Sequence, residues 1–228
     1  MRIKQNLPDK DKAPTMPAVS TSSKRTSVRK IPTQARAKER FERILDAARN
    51  LIEESGSEHL KMSDVASRAE VPIGSVYQYF PDKSAIIITL AERIMELVHD
   101  GLAQAMDEVT CLEEGEDALK STLMAYYELF LAEPVARDIW FGIQADKTLN
   151  ALDIEDSRAN GAIVYETLKK FTPKKAWKRL ETASFLVMQL TGMAVRLAVS
   201  VDRKEGDRIM AVYQDMIRRE LIAVTAAG

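Results

Sequence analysis

A chain of 228 residues with 46% apolar side chains is long enough to bury a real core, and its 33 basic and 34 acidic side chains leave a formal net charge of only -1. One cysteine, Cys111, excludes an intramolecular disulfide framework and a cysteine-built zinc site, and two histidines are too few for most metal-dependent hydrolases. The N-terminus lacks the apolar stretch of a signal peptide, and the longest apolar run, 185–201, is interrupted by Gln189, Thr191, Arg196 and Ser200, so a soluble, cytoplasmic protein with no membrane partner is expected.

The small net charge hides an asymmetry. Residues 1–83 carry 16 Lys and Arg against 11 Asp and Glu, whereas residues 84–228 carry 17 against 23. The excess is densest from Lys24 to Arg43, where eight basic residues face two acidic ones. That is the pattern of a polyanion-binding N-terminal part carried by an acidic body. Residues 1–33 hold four of the eight prolines (Pro8, Pro14, Pro17, Pro32) and a Ser/Thr cluster at 20–23, with no helical or strand period, and read as a disordered basic arm.

From Gln34 the pattern becomes helical: Phe41, Ile44, Leu45, Ala48, Leu51 and Ile52 recur at the spacing of one helix face, and Glu54-Ser-Gly56 ends the run. A second, short helix is expected over 62–69, a turn at Glu70-Val71-Pro72, and a third helix over 72–80. Pro81-Asp82-Lys83 restarts the chain, with Asp82 as N-cap of a long helix reaching about His99. Beyond Gly101 five more helices are expected, near 116–133, 134–146, 151–170, 173–201 and 204–225. The fold class is therefore all-α: a three-helix domain over 34–82, a connecting helix over 83–100, and a helical domain over 101–228.

Helix, short turn, short helix is the geometry of a helix-turn-helix, whose second helix enters the DNA major groove. Val76 and Phe80, four residues apart, are expected to pack inward with Val65 and Ala69. Ile73, Gly74, Ser75, Gln78 and Tyr79 are then left outward as a surface for base edges. Gln78 has the paired donor and acceptor that suit adenine, Ser75 suits either base type, and Ile73 or the Tyr79 ring suits a thymine methyl. Ser63, Tyr77 and Lys83 are placed for phosphates, which fix register without reading sequence.

Residues 36–90 resemble the N-terminal domain of the TetR (tetracycline-repressor) family of bacterial transcription regulators. The resemblance is carried by Asp64-Val-Ala66, by Ala69-Glu-Val-Pro-Ile-Gly-Ser-Val-Tyr-Gln-Tyr-Phe80, and by Asp82-Lys83 followed by a long helix. It implies groove contact for Ile73, Gly74, Ser75, Gln78 and Tyr79 and phosphate contact for Tyr77 and Lys83. Two positions depart from the family pattern: Glu70 stands where a turn glycine is usual, and Lys61 and Met62 precede Ser63 where many members open the helix with Thr.

The resemblance also implies that the C-terminal part binds a small-molecule effector and forms a homodimer. Independently, the apolar helix 173–201 and the amphipathic helix carrying Ile209, Val212, Tyr213, Met216, Ile217 and Leu221 need partners, and two copies would make a four-helix seam. Gly192, Ala194 and Ala198 would let helices approach there. Polar groups on apolar stripes nominate the pocket: Asp156 and Asn160 on one helix, Gln189 and Arg196 on the next, with Tyr126, Tyr127, Trp140, Phe141 and Gln144 as lining.

The expected function is a ligand-responsive regulator of double-stranded DNA, a repressor released from a pseudo-palindromic operator, with no cofactor, no metal and no catalytic residue. A ligand-independent DNA-binding protein and a helical dimerisation adaptor are the alternatives. Catalysis finds little support: a di-iron bundle needs Glu-x-x-His twice, and Glu96-Leu-Val-His99 supplies it once.

Overall fold

The computed structural model describes residues 34–142 and 146–225, and among the described residues all regular structure is helical. The expected arm and Gln144 lie outside the described residues. The helices are α1 (Ala35–Ser55), α2 (Met62–Arg68), α3 (Ile73–Tyr79), α4 (Lys83–Asp107), α5 (Leu112–Ala132), α6 (Pro134–Gly142), α7 (Lys147–Leu168), α8 (Trp177–Val199) and α9 (Arg203–Thr225). Short 3₁₀ turns at Ser57–His59, between α1 and α2, and at Lys169–Phe171 and Lys174–Ala176, both between α7 and α8, fill two of the connections.

The N-terminal domain follows from its periodicity. Phe41, Ile44, Leu45, Ala48 and Ile52 of α1 are buried, as their common face requires. Gly56 stops the helix with φ +83°, its N–H closing on the Ile52 carbonyl. Arg68 of α2 makes a two-pronged bond to Glu54, and Arg93 of α4 makes another to Glu42, so α1 is clasped from both sides.

The turn between α2 and α3 is a complete Schellman motif. The Val71 N–H bonds the Ala66 carbonyl at 3.0 Å, the Glu70 N–H bonds the Ser67 carbonyl at 3.2 Å, and Glu70 between them takes φ +54°. Left-handed backbone costs an L-residue about 1–2 kcal/mol, part of which glycine would return as unfolded-state entropy. Glu70→Gly is therefore expected to raise stability by about 0.5–1 kcal/mol, a melting shift of roughly 2–4 °C. A lower melting temperature in a thermal scan would contradict the strain assigned to this turn.

Helix boundaries differ from the sequence reading at several places, most of all in α4. Helix α4 does not end near His99 but continues through Gly101 to Asp107, because Leu102 and Met106 extend its buried face. Asp82 does cap it, its carboxylate accepting from the Ala85 N–H at 2.9 Å. Helix α6, described over Pro134–Gly142, touches the N-terminal domain: Asp138 accepts from the Ser57 N–H at 2.9 Å, and Glu133 beside it pairs with Arg49.

In the C-terminal domain α7 packs on α8 and α8 on α9. Within the chain the close approaches are at Gly161, where a Cβ would lie 2.7 Å from the Phe185 Cα, and at Gly206, pressed against the Ala198 carbonyl. The Tyr213 hydroxyl ties α9 to α8 by donating to the Val187 carbonyl at 2.7 Å. Leu186, Leu190, Met193 and Leu197 of α8 and Val212, Met216 and Ile222 of α9 remain exposed. The polar interruptions noted in the sequence do not disqualify this region by composition. Lys174–Val199 is long and apolar enough to cross a membrane by length and composition: its most apolar 18 residues have a mean hydropathy of 1.4, and 22% of them are buried.

Candidate nucleic-acid interface and ligand cavity

Helix α3 is anchored by one face and bare on the other. Val76 and Phe80 are fully buried, with Phe80 stacked on Phe41 at 5.0 Å between ring centroids. Tyr79 corrects the sequence reading: it is only 6% exposed and meets Phe41 edge-on at 5.8 Å. Positions three and four residues beyond Val76 both lie on the inner face of a helix, so Tyr79 and Phe80 are both core and Tyr79 leaves the outward set. Ile73, Gly74, Tyr77 and Gln78 are exposed and Ser75 is half-buried.

Ser63 is exposed on α2, its hydroxyl donating to Asp64, and α2 begins at Lys61 with no side-chain cap. Lys83 is half-buried at the start of α4, and its Nζ donates to the Glu58 carbonyl at 2.9 Å, so the ammonium is already engaged within the fold.

Gly74 has negative φ, and a Cβ built there would meet nothing within 4 Å. The fold does not need a glycine at that place. Gly74→Ala should leave stability unchanged or raise it by up to about 1 kcal/mol. On the nucleic-acid reading the added methyl stands where backbone or bases approach, and affinity for DNA should fall on the order of tenfold, or about 1.4 kcal/mol. Equal affinity in a binding titration would remove Gly74 from the interface.

The second feature is a cavity among α4, α5, α7 and α8, with α9 closing one side. Its walls are apolar: Met95 and Leu102 from α4, Leu119 and Leu123 from α5, Val187 and Met188 from α8. It leaves about 60 Å³ of room for the centre of a water molecule. One water needs only about 10–15 Å³ on that measure, so the space suits a small organic group.

Polar groups gather at one part of the wall. Asp153, Asp156 and Asn160 of α7 line it with Tyr126 of α5 and Trp140 of α6. The Asn160 amide donates to Asp156 at 2.9 Å, which leaves its carbonyl oxygen as the acceptor for His99 Nδ1, also at 2.9 Å; the His99 proton on this side is thereby fixed on Nδ1. Gln189 Nε2 donates to Asp153 at 2.8 Å. Burial, then the neighbouring Asp153, pushes the Asp156 carboxyl up to about 6. Burial and the same two aspartates push the Tyr126 phenol up.

Of the residues nominated from sequence, Tyr126, Trp140, Asp156 and Asn160 line this cavity. Tyr127 does not: its ring is fully buried toward α9, beneath the Arg203 guanidinium at 5.4 Å. Phe141 is 49% exposed. Gln189 acts on the cavity through Asp153, and Arg196, off the lining, donates to Met193 Sδ at 3.0 Å. Gly192 proves to be a lining residue, 4.0 Å from the Tyr126 hydroxyl by its virtual Cβ. Among the described residues no cluster of three metal-ligating side chains occurs.

Residues 44–90 match the profile of the bacterial regulatory proteins of the tetR family, and residues 113–225 match that of the tetracyclin repressor-like C-terminal domain. The chain belongs to the TetR family. This TetR-family protein superposes on a TetR-family transcriptional regulator of Streptomyces coelicolor with a TM-score of 0.63 and 26% identity, over 81% of its own length and 97% of the other's. It is 41% identical over 61 residues to the transcriptional repressor KstR of Rhodococcus jostii, a match covering 27% of this chain and 29% of that repressor. It is 30% identical over 87 residues to the repressor NemR of Escherichia coli, 38% of this chain and 41% of that one. The chain thus spans less than half the length of either curated repressor in these matches. The TetR-family segment 44–90 contains α2, α3 and every residue nominated for DNA. Asp153, by contrast, went unnoticed in the sequence, although it stands three residues before Asp156 on the same helix face.

Proposed function

We propose that the protein is a dimeric DNA-binding repressor that releases its operator when a small molecule enters the C-terminal cavity. The observation that carries the reading is α3: a seven-residue helix held by three buried residues, presenting Ile73, Gly74, Tyr77 and Gln78 to solvent behind a fully bonded turn. No core requires those side chains, and helix-turn-helix proteins read base edges from that face. The curated relatives named above are repressors, which supports the sign of regulation. The exposed apolar faces of α8 and α9 support a second copy as the partner that covers them.

A dimer sets two reading helices about one DNA turn, ~34–36 Å, apart, so the site read should be a pseudo-palindrome. Capture of genomic fragments by the purified protein at physiological salt, followed by sequencing, tests this. Enrichment of a two-fold symmetric site is the expected result; recovery of random fragments would overturn it.

A further inference from the structure

We propose that the cavity takes a lipophilic organic cation, a protonated amine on an apolar body, with its N–H groups held by Asp153 and Asp156. The inference rests on the ligand-responsive reading above and adds the chemical class of ligand.

The walls exclude a polar ligand, and the charges exclude an anionic one. Two carboxylates line the cavity, and no Lys or Arg does among the described residues. Arg196 of α8 donates to Met193 Sδ and makes no ion pair with either aspartate. His99 of α4 is joined to Asp156 through Asn160 by hydrogen bonds, and its charge acts on that carboxylate in the lowering direction, against burial. Two carboxylates line the site, and among the described residues no Lys or Arg side chain forms an ion pair with either.

Hydrogen bonding gives the same sign independently. Each aspartate receives a single side-chain donor, Asn160 for Asp156 and Gln189 for Asp153. Donating to Asp153 fixes the Gln189 amide so that its Oε1 is buried without a donor. The site therefore holds surplus acceptors, which an ammonium group satisfies and a carboxylate or phosphate would multiply. The Trp140 ring, 4% exposed, also lines the cavity, with its Nε1 beside the Tyr126 hydroxyl. The rings of Trp140 and Tyr126 suit both a cationic head and an aromatic body. A body too long for the cavity has an outlet, since Val98, Thr122 and Tyr126 also line an apolar surface groove between α4 and α5.

The raised pKa of Asp156 gives the site a pH signature. A cation favours the ionised carboxylate, so affinity should be full above about 6 and fall on the order of tenfold one pH unit below it.

The test is calorimetric titration of the full chain at neutral pH with three probes of one shape: phenylbutylamine, phenylbutanol and phenylbutanoate. The amine is expected to bind at least on the order of tenfold more tightly than the alcohol, with the carboxylate weakest. Asp153→Asn combined with Asp156→Asn should erase that order. Burial disfavours the charged form of Asp156, so Asp156→Asn alone should melt no lower than the parent at neutral pH, which separates lost binding from lost folding. Tighter binding of the carboxylate or alcohol, amine preference surviving in the double variant, or binding of none of the three would each overturn the proposal. Adding the amine to the captured DNA complex distinguishes the two readings. Binding in the stated order with no DNA release would leave this inference standing and overturn the ligand-responsive one.

Discussion

Replacing Gln78 by alanine is expected to cost at least about 30-fold in affinity for the captured site while leaving the melting temperature within error. The side chain is exposed and makes no hydrogen bond among the described residues, so the fold loses nothing with it. A bidentate contact to a base is worth about 1–3 kcal/mol, and a dimer makes it twice, for about 2–6 kcal/mol in all. The loss should be confined to sequence: selection of bound DNA by the variant should show relaxed preference at one symmetric pair of positions. Tyr77→Phe supplies the contrast, because on the proposed reading its hydroxyl meets a phosphate, and removing it should weaken all sequences alike. Unchanged preference in the Gln78 variant would mean that α3 lies on DNA by another face, or not at all.

The second large effect is expected at α8. Leu190 and Leu197 are 41% and 55% exposed in the single chain, and with Leu186 and Met193 they form one stripe. In a dimer seam each glutamate substituted there would be buried without a partner, at about 3–5 kcal/mol per charge. Leu190→Glu with Leu197→Glu should therefore raise the dimer dissociation constant by more than about a thousandfold and yield a folded monomer. Light scattering after gel filtration reads the mass, and circular dichroism reads the helices. A variant that remains a dimer would place the seam elsewhere and leave the apolar stripe without an occupant.

Much of this architecture was readable from local chemistry. The α1 face follows from spacing alone and the Asp82 cap from a single carboxylate before an apolar run. The errors have a common cause, which is that period and composition do not say what lies opposite. Gly101 reads as a stop, yet α4 passes through it because the buried face resumes one residue later. Tyr79 and Phe80 compete for one inner face, and Phe41, nearly forty residues away, accommodates both. Adjacent aromatics mislead in the same way. Consecutive helical residues point about 100° apart, so Tyr126 and Trp140 reach the cavity while Tyr127 and Phe141 turn away from it. The pairing of Gln189 with Asp153 joins residues on different helices and has no local signal at all.

The amine of Lys83, held on the Glu58 carbonyl, has a consequence for how binding would respond to ions. Helix α3 itself, Ile73–Tyr79, carries no charged side chain, so the groove-facing element releases few counterions of its own. On the proposed reading the steep part of the ionic-strength dependence must come from the basic stretch Lys24–Arg43, outside the reading helix. Affinity and sequence preference are then carried by separate parts of the chain. Removing residues 1–33, which leaves α1 and Phe41 in place, would flatten the salt slope while leaving the recognised sequence the same.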